Sequence, residues 1–152
     1  FIEYVTNPGF ETDLTGWNHS GKISTLTRVG TTSHGGSFSA LVSNPSSSSI
    51  SCGLVDAPNW VKPSATGTYT ATLWVRARTA GKALKLTLAE TKGRTKIGSN
   101  AAHITLSTSW QQVTVDYTAL HPGHSTIGLA ASIAKAPHGA CFNADDASVR
   151  RH

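Results

Sequence analysis

Between residues 69 and 78 the chain changes character at every step. Tyr69, Ala71, Leu73, Val75 and Ala77 fall on one parity, and Thr70, Thr72, Trp74, Arg76 and Arg78 on the other. A period of two marks a strand with one face on a core and one in water, because successive side chains of an extended backbone point to opposite sides. The alternation returns in Leu84, Leu86 and Leu88, in Val113, Val115 and Tyr117, and in Ile127, Leu129, Ala131 and Ile133. No segment carries a helical period, so the chain reads as all-β.

Weaker strands are expected at 23–29, 38–43, 49–54 and 142–150. Gly, Pro, Asn and Ser punctuate the chain at 30–36, 44–48, 63–67, 80–81, 92–99, 122–123 and 137–139, as turns require. Eight or more short strands with such breaks imply a jelly-roll β-sandwich of two antiparallel sheets. There is no repeat and no linker, so residues 1–152 are expected to form one domain. A domain of this size buries roughly two-thirds of its unfolded surface.

No apolar run approaches the ~20 residues of a membrane helix. The first residues are too polar for a signal peptide, so a soluble chain, mature or trimmed, is expected. Cys52 and Cys141 stand alone, without CxxC spacing, in a chain that lacks methionine. An exported protein with one disulfide is the expectation, and two separate buried thiols are the alternative. A bridge would close a loop of nearly 90 residues, worth roughly 4–4.7 kcal/mol in the chain-entropy account.

Thirteen Lys and Arg against eight Asp and Glu leave a formal charge of +5. This favours acidic partners only through a screened, unspecific term. The densest basic cluster, Lys92-Gly93-Arg94-Thr95-Lys96, lacks the interleaved aromatics that stack bases, and it reads as a solvated hairpin tip. Nucleic acid and membrane are therefore not expected as partners.

The patterns of catalysis are absent. His121-Pro122-Gly123-His124 is a turn with no third ligand for zinc. No Gly-x-Ser-x-Gly elbow occurs, and no two carboxylates are placed as glycoside hydrolysis requires. Arg76, His103 and Tyr117 supply the residue types of a jelly-roll polysaccharide lyase, but Tyr117 has core parity and no lyase motif appears. The expectation is a domain without enzyme activity.

Several stretches together carry a family likeness: Asn7-Pro8-Gly9-Phe10-Glu11, Gly16-Trp17, His34-Gly35-Gly36-Ser37-Phe38, the run YTATLWVRA from Tyr69, Thr108-Ser109-Trp110-Gln111-Gln112-Val113, and Cys141-Phe142-Asn143-Ala144-Asp145-Asp146. The chain resembles the galactose-binding-like jelly-roll carbohydrate-binding modules grouped in families 4, 9, 16 and 22. Among these it is similar to modules appended to secreted actinobacterial polysaccharide-degrading enzymes. The likeness spans nearly the whole length.

The resemblance implies a structural calcium ion on the side of the sandwich away from the sugar. Glu11 and Asp146 would give carboxylates, and the Asn7 and Gly36 regions main-chain oxygens, a hard-oxygen set of the kind calcium takes. It also implies sugar across the outward face of one sheet. There Trp74 would stack on a ring, Arg76 would bind hydroxyls or a carboxylate, and Glu90, beside this face, would pair with Arg76 or accept from a hydroxyl. Lys85, Thr87, Gln112 and Arg78 are candidates for the rim, and Trp60 for a second stacking surface or a core cap. The late strand departs from the pattern, since its outward positions are Gly128, Ala130 and Ser132 rather than an aromatic.

The expected protein is thus a secreted, monomeric, non-catalytic module. It would hold an appended hydrolase or lyase on a plant-cell-wall β-glycan or a uronic acid polymer. The alternative is a structural sandwich that packs on a catalytic domain and binds no sugar.

Overall fold

The computed structural model describes residues 1–152. Its strands in chain order are β1 (Ile2–Glu3), β2 (Trp17–Ser20), β3 (Thr25–Val29), β4 (Ser39–Asn44), β5 (Ile50–Asp56), β6 (Thr68–Arg76), β7 (Ala83–Lys92), β8 (Thr95–Thr105), β9 (Gln111–Thr118), β10 (Thr126–Ala136) and β11 (Gly139–Arg151). They form two antiparallel sheets and no helix. The first sheet has the order β3-β4-β11-β6-β9, with β1 also paired to β11; the second has the order β2-β5-β10-β7-β8. The expected all-β sandwich is therefore the observed one.

Parity decides what lies between the sheets. Tyr69, Ala71, Leu73 and Val75 on β6 are fully buried, and so are Leu84 and Leu86 on β7. Ile127, Leu129, Ala131 and Ile133 fill the core from β10, while Phe142, Ala144 and Val149 fill it from β11. Cys52 on β5 and Cys141 on β11 are joined by a disulfide that ties the two sheets, with 6.5 Å between their α-carbons and a separation of 89 positions in sequence. The reading of the cysteines as one disulfide, rather than two separate thiols, holds.

Three strands were not visible in the alternation. β1 and β2 are short, and β8 occupies the edge of the second sheet with one neighbour, β7. An edge strand has few neighbours to pack against, so the apolar period fades from its sequence. Residues 92–99, expected to be a loop, are instead mostly hairpin strand, and only Gly93 and Arg94 make the tip.

The connection from β3 to β4 shapes the outer face of the first sheet. Rather than turning tightly, residues 30–38 fold back over β11 and β6, so that Asn143 and Asp145, which point outward, are nevertheless buried. The outer face of the second sheet has no such cover.

Candidate functional site

Trp74 and Arg76 do share the outer face of the first sheet, as their parity requires. Arg76 donates from Nε to Thr108 O (3.1 Å) and from Nη1 to Asn143 Oδ1 (3.4 Å). One face of the Trp74 ring is already taken: the His34 imidazole stacks on it at 3.8 Å between centroids, 13° from parallel. Trp110 meets the same imidazole edge-on at 6.1 Å. A sugar stacks on an open ring face, and here a loop residue of the protein has that place.

His34 is held there by the acids of β11. Asp145 Oδ2 accepts from the amides of His34 (2.8 Å) and Gly35 (3.1 Å), and its Oδ1 accepts from Asp146 N (2.8 Å). Burial raises the Asp145 carboxyl above its ordinary value, against the pull of these amides. The register of β11 breaks between Asp145 and Ser148. Within that bulge Asp146 takes a left-handed φ of 47° and sets its Oδ2 2.6 Å from His34 Nδ1.

Glu11 lies against the same loop, its two oxygens accepting from Ser37 N (2.8 Å) and Phe38 N (2.9 Å). The Ser37 and Phe38 amides hold its carboxyl below the usual range. Gly36, at φ 65°, packs directly against this carboxylate. A β-carbon at Gly35 would fall 2.7 Å from Asp146 Oδ2. A β-carbon at Gly9 would lie 3.7 Å from both Asp146 Oδ1 and Glu11 Cγ, which brings the two acids next to that glycine.

Glu11 and Asp146 thus come together around glycine backbone, with spare lone pairs on hard oxygens, and these donors suit calcium. No three His, Cys, Asp or Glu side chains form a ready cage, so main-chain carbonyls would have to complete one. Asn7 holds the segment 7–17 instead: its carbonyl accepts from the Trp17 indole (2.8 Å), and its side chain donates to Asp13 O and Thr15 O.

Glu90 does not belong to a sugar site. It lies on β7 in the second sheet, so it is not beside Trp74, and it continues the inward parity of Leu84, Leu86 and Leu88 to full burial. Its carboxylate accepts from Tyr117 Oη (2.7 Å), Leu120 N (2.7 Å), His121 N (2.9 Å) and Ser125 Oγ (2.5 Å). Burial pushes its pKa up, but these bonds, Ser125 foremost, outweigh burial and bring it down to about 2. Glu90 pins the β9–β10 connection, and no oxygen faces solvent. Trp60 likewise caps the core, packed on Gly16 and edge-on to Trp17 at 5.8 Å.

The open surface is on the other sheet. Its outward residues run in registered rows across the strands: Asn18, Val55, Ala130, Thr87 and Ala101 in one, and Ser20, Gly53, Ser132, Lys85 and His103 in the next. Small side chains at the centre make a shallow trough. It deepens at one end into a hollow of about 320 Å³ lined by Val55, Asp56, Asn59, Ala89, Thr91, Gly128, Leu129 and Ala130. Asn59 leans over Gly128 and donates to Thr126 Oγ1 (3.0 Å). Five strands at about 4.8 Å spacing make the trough roughly 19 Å across, with hydroxyl, amide, imidazole and ammonium groups along its sides. The run of Gly128, Ala130 and Ser132 was its trace in the sequence.

Comparison with known proteins follows this geometry. The family model CBM_4_9, described as a carbohydrate binding domain, matches residues 3–135. No curated protein sequence matches the chain. Among solved structures, a family 61 module in complex with β-1,4-galactotriose superposes with a TM-score of 0.67 at 18% identity over 100% of both chains. The xylan-binding family 22 domain of Paenibacillus barcinonensis Xyn10C gives 0.70 at 15% identity, over 99% of this chain and 94% of that one. The family 22 and GH10 modules of Clostridium thermocellum xylanase 10B, complexed with xylohexaose, give 0.73 at 21% identity over 98% of this chain and 28% of that one. At these identities the superpositions establish the fold.

Proposed function

Because the chain belongs to the carbohydrate binding domain family CBM_4_9, we propose that it binds a β-1,4-linked polysaccharide along the trough of the second sheet. The observation that carries this reading is the uncovered row Asn18, Val55, Ala130, Thr87, small at the centre and polar at its ends, on a sheet whose counterpart is roofed by residues 30–38. A flat sugar chain can lie close to such a floor, while hydroxyls reach Asn18, Asn59, Thr91 and His103 at the sides. Structural neighbours in complex with β-1,4-galactotriose and xylohexaose support this class of ligand.

The domain acts without catalysis of its own, as a secreted monomer. It tethers an appended hydrolase or lyase to its substrate and so raises the local concentration. Affinity electrophoresis through gels of xylan, β-1,4-galactan and polygalacturonate is the test. Retardation by one glycan, lost in Ala130→Glu, supports the trough; no retardation in any gel makes the domain a structural sandwich instead.

A second placement is favoured by one observation, that Trp74, Trp110 and Arg76 gather on the first sheet. Sugar there would have to displace His34 from Trp74.

Calcium is part of the same proposal, held by Glu11 and Asp146 with carbonyls near Asn7 and Gly36. Its contribution would be to neutralise two neighbouring carboxylates and fix the 30–38 loop. EDTA should then lower the melting temperature by on the order of 5 °C, and Glu11→Ala or Asp146→Ala should abolish that response. An unchanged melt in every case removes the ion.

A further inference from the structure

A further recess lies neither on the trough nor beside Trp74, but at one end of the sandwich. Here the connection from β6 to β7 and the turn from β10 to β11 enclose a cavity of about 410 Å³, within the range of small-ligand clefts. Its accessible apolar floor is Ala80, Pro137 and Ala140, laid over the core residues Ile133, Ala136 and Cys141, none of these last more than 6% exposed. The Cys52–Cys141 bridge closes it from behind and fixes the spacing of the sheets at this point.

The rim has a different chemistry. Arg78, Lys82 and His138 stand around the mouth, all exposed, and no carboxylate lines the cavity. Neither Arg78 nor Lys82 forms an ion pair. His138 places Nδ1 3.0 Å from Ser46 O, and its Nε2 has no protein partner. Arg78 also lines a neighbouring recess with Thr31, Thr32, Arg76 and Asn143, so positive charge continues from the cavity onto the first sheet.

A bare anion would use the rim and leave the apolar floor wet. A neutral sugar would use the floor and none of the charge. The ligand that uses both has a compact apolar face and one peripheral carboxylate. A uronic acid pyranose is such a body: its C–H face covers Ala80, Pro137 and Ala140, while its carboxylate meets Arg78 and Lys82 in charge-assisted hydrogen bonds. We propose that this end cavity is a second saccharide site that takes a uronate residue. It does not rest on the trough reading, and the two sites share no lining residue.

The test is a titration of the whole domain with α-1,4-digalacturonate, followed through its backbone amides by heteronuclear NMR, with a neutral digalactoside and inorganic sulfate as parallel probes. Digalacturonate should move the amides of Gly81, His138 and Ala140 to saturation, while the other two probes leave them nearly still. Arg78→Gln with Lys82→Gln, both solvent-exposed positions, should weaken this binding by roughly tenfold or more. The same double variant should leave retardation in glycan gels that act through the trough unchanged. Sulfate matching digalacturonate at equal concentration would make this an anion site only and overturn the proposal. Equal response to the neutral disaccharide, shifts confined to Thr87 and Ala130, or no shift at all would also overturn it.

Discussion

The two outer faces of this sandwich oppose residue type to access. The first sheet carries the side chains associated with sugar recognition, Trp74, Trp110 and Arg76, but a loop crosses it, and His34 lies flat on the tryptophan. The second sheet carries Gly, Ala, Ser and Thr and lies open. The carboxylates explain the contrast. Asp145 and Glu11 draw the amides of residues 34–38 down onto the first sheet. Asp56 and Glu90 on the second sheet point inward and hold the flanking connections at the edges of the face. An aromatic residue on a strand is therefore a weaker pointer to a binding face than the path of the adjoining loop.

Paired substitutions break the comparison most directly. Ala130→Glu puts a long charged side chain in the centre of the trough and should cost about 100-fold or more in glycan affinity, near 3 kcal/mol. Trp74→Ala should change affinity less than about twofold, yet lower the melting temperature, because His34 loses its stacking partner. Affinity electrophoresis and a thermal melt on both variants measure this. If Trp74→Ala abolishes retardation while Ala130→Glu keeps it, the roofed face opens to bind sugar and the contrast between the faces is reversed.

The next effect concerns what keeps the open face in shape. Glu90→Gln preserves volume, but it sets an NH₂ group among four donors and leaves at least one buried donor without an acceptor. The expected loss is about 2–3 kcal/mol of stability, read from urea denaturation at neutral pH. A loss below about 0.5 kcal/mol would mean that Tyr117, Ser125 and the two amides do not depend on this carboxylate.

Much of this molecule could be read from the sequence because alternation reports burial directly. β6, β7, β9 and β10 follow their apolar parity, and the inward residues of each are core. The family likeness brought Glu11 and Asp146 to one place. What the sequence did not disclose was which strands neighbour one another. β6 and β7 are consecutive, yet lie in different sheets, so Trp74 and Glu90 never meet. Glu90 was in principle legible, since it extends the inward parity of Leu84, Leu86 and Leu88; a charged residue was read as exposed because acids seldom are buried without partners. Its partners come from residues 117–125, some 30 positions away, which local pattern does not reveal. The trough was hidden for the same kind of reason, being built from small residues on separate strands.

The smallest effect separates the two acids beneath the open face by pH. Asp56 is buried on β5 and accepts from Trp60 N (2.9 Å) and Leu129 N (3.0 Å). Burial raises its pKa, the amides only partly offset this, and the result is about 6. A carboxyl whose folded value lies above its unfolded one keeps a proton that the unfolded chain has already released. Its contribution to stability is therefore full below about pH 4 and is lost as pH rises through about 6, by roughly 3 kcal/mol in all, of which about 2 kcal/mol falls between pH 4.5 and 6.5. Glu90 has the opposite sign: its contribution is present above its unfolded value and is lost as pH falls toward about 2, so it does not act in the window between pH 4.5 and 6.5. Urea midpoints for wild type and Asp56→Asn at pH 4.5, 5.5 and 6.5 isolate the aspartate, since the histidines are common to both. The difference between the two proteins should shift steadily against the wild type as pH rises. A difference that stays constant across the window would mean that Asp56 is ionised throughout, and that Trp60 and Leu129 hold a carboxylate rather than a carboxylic acid at the end of the trough.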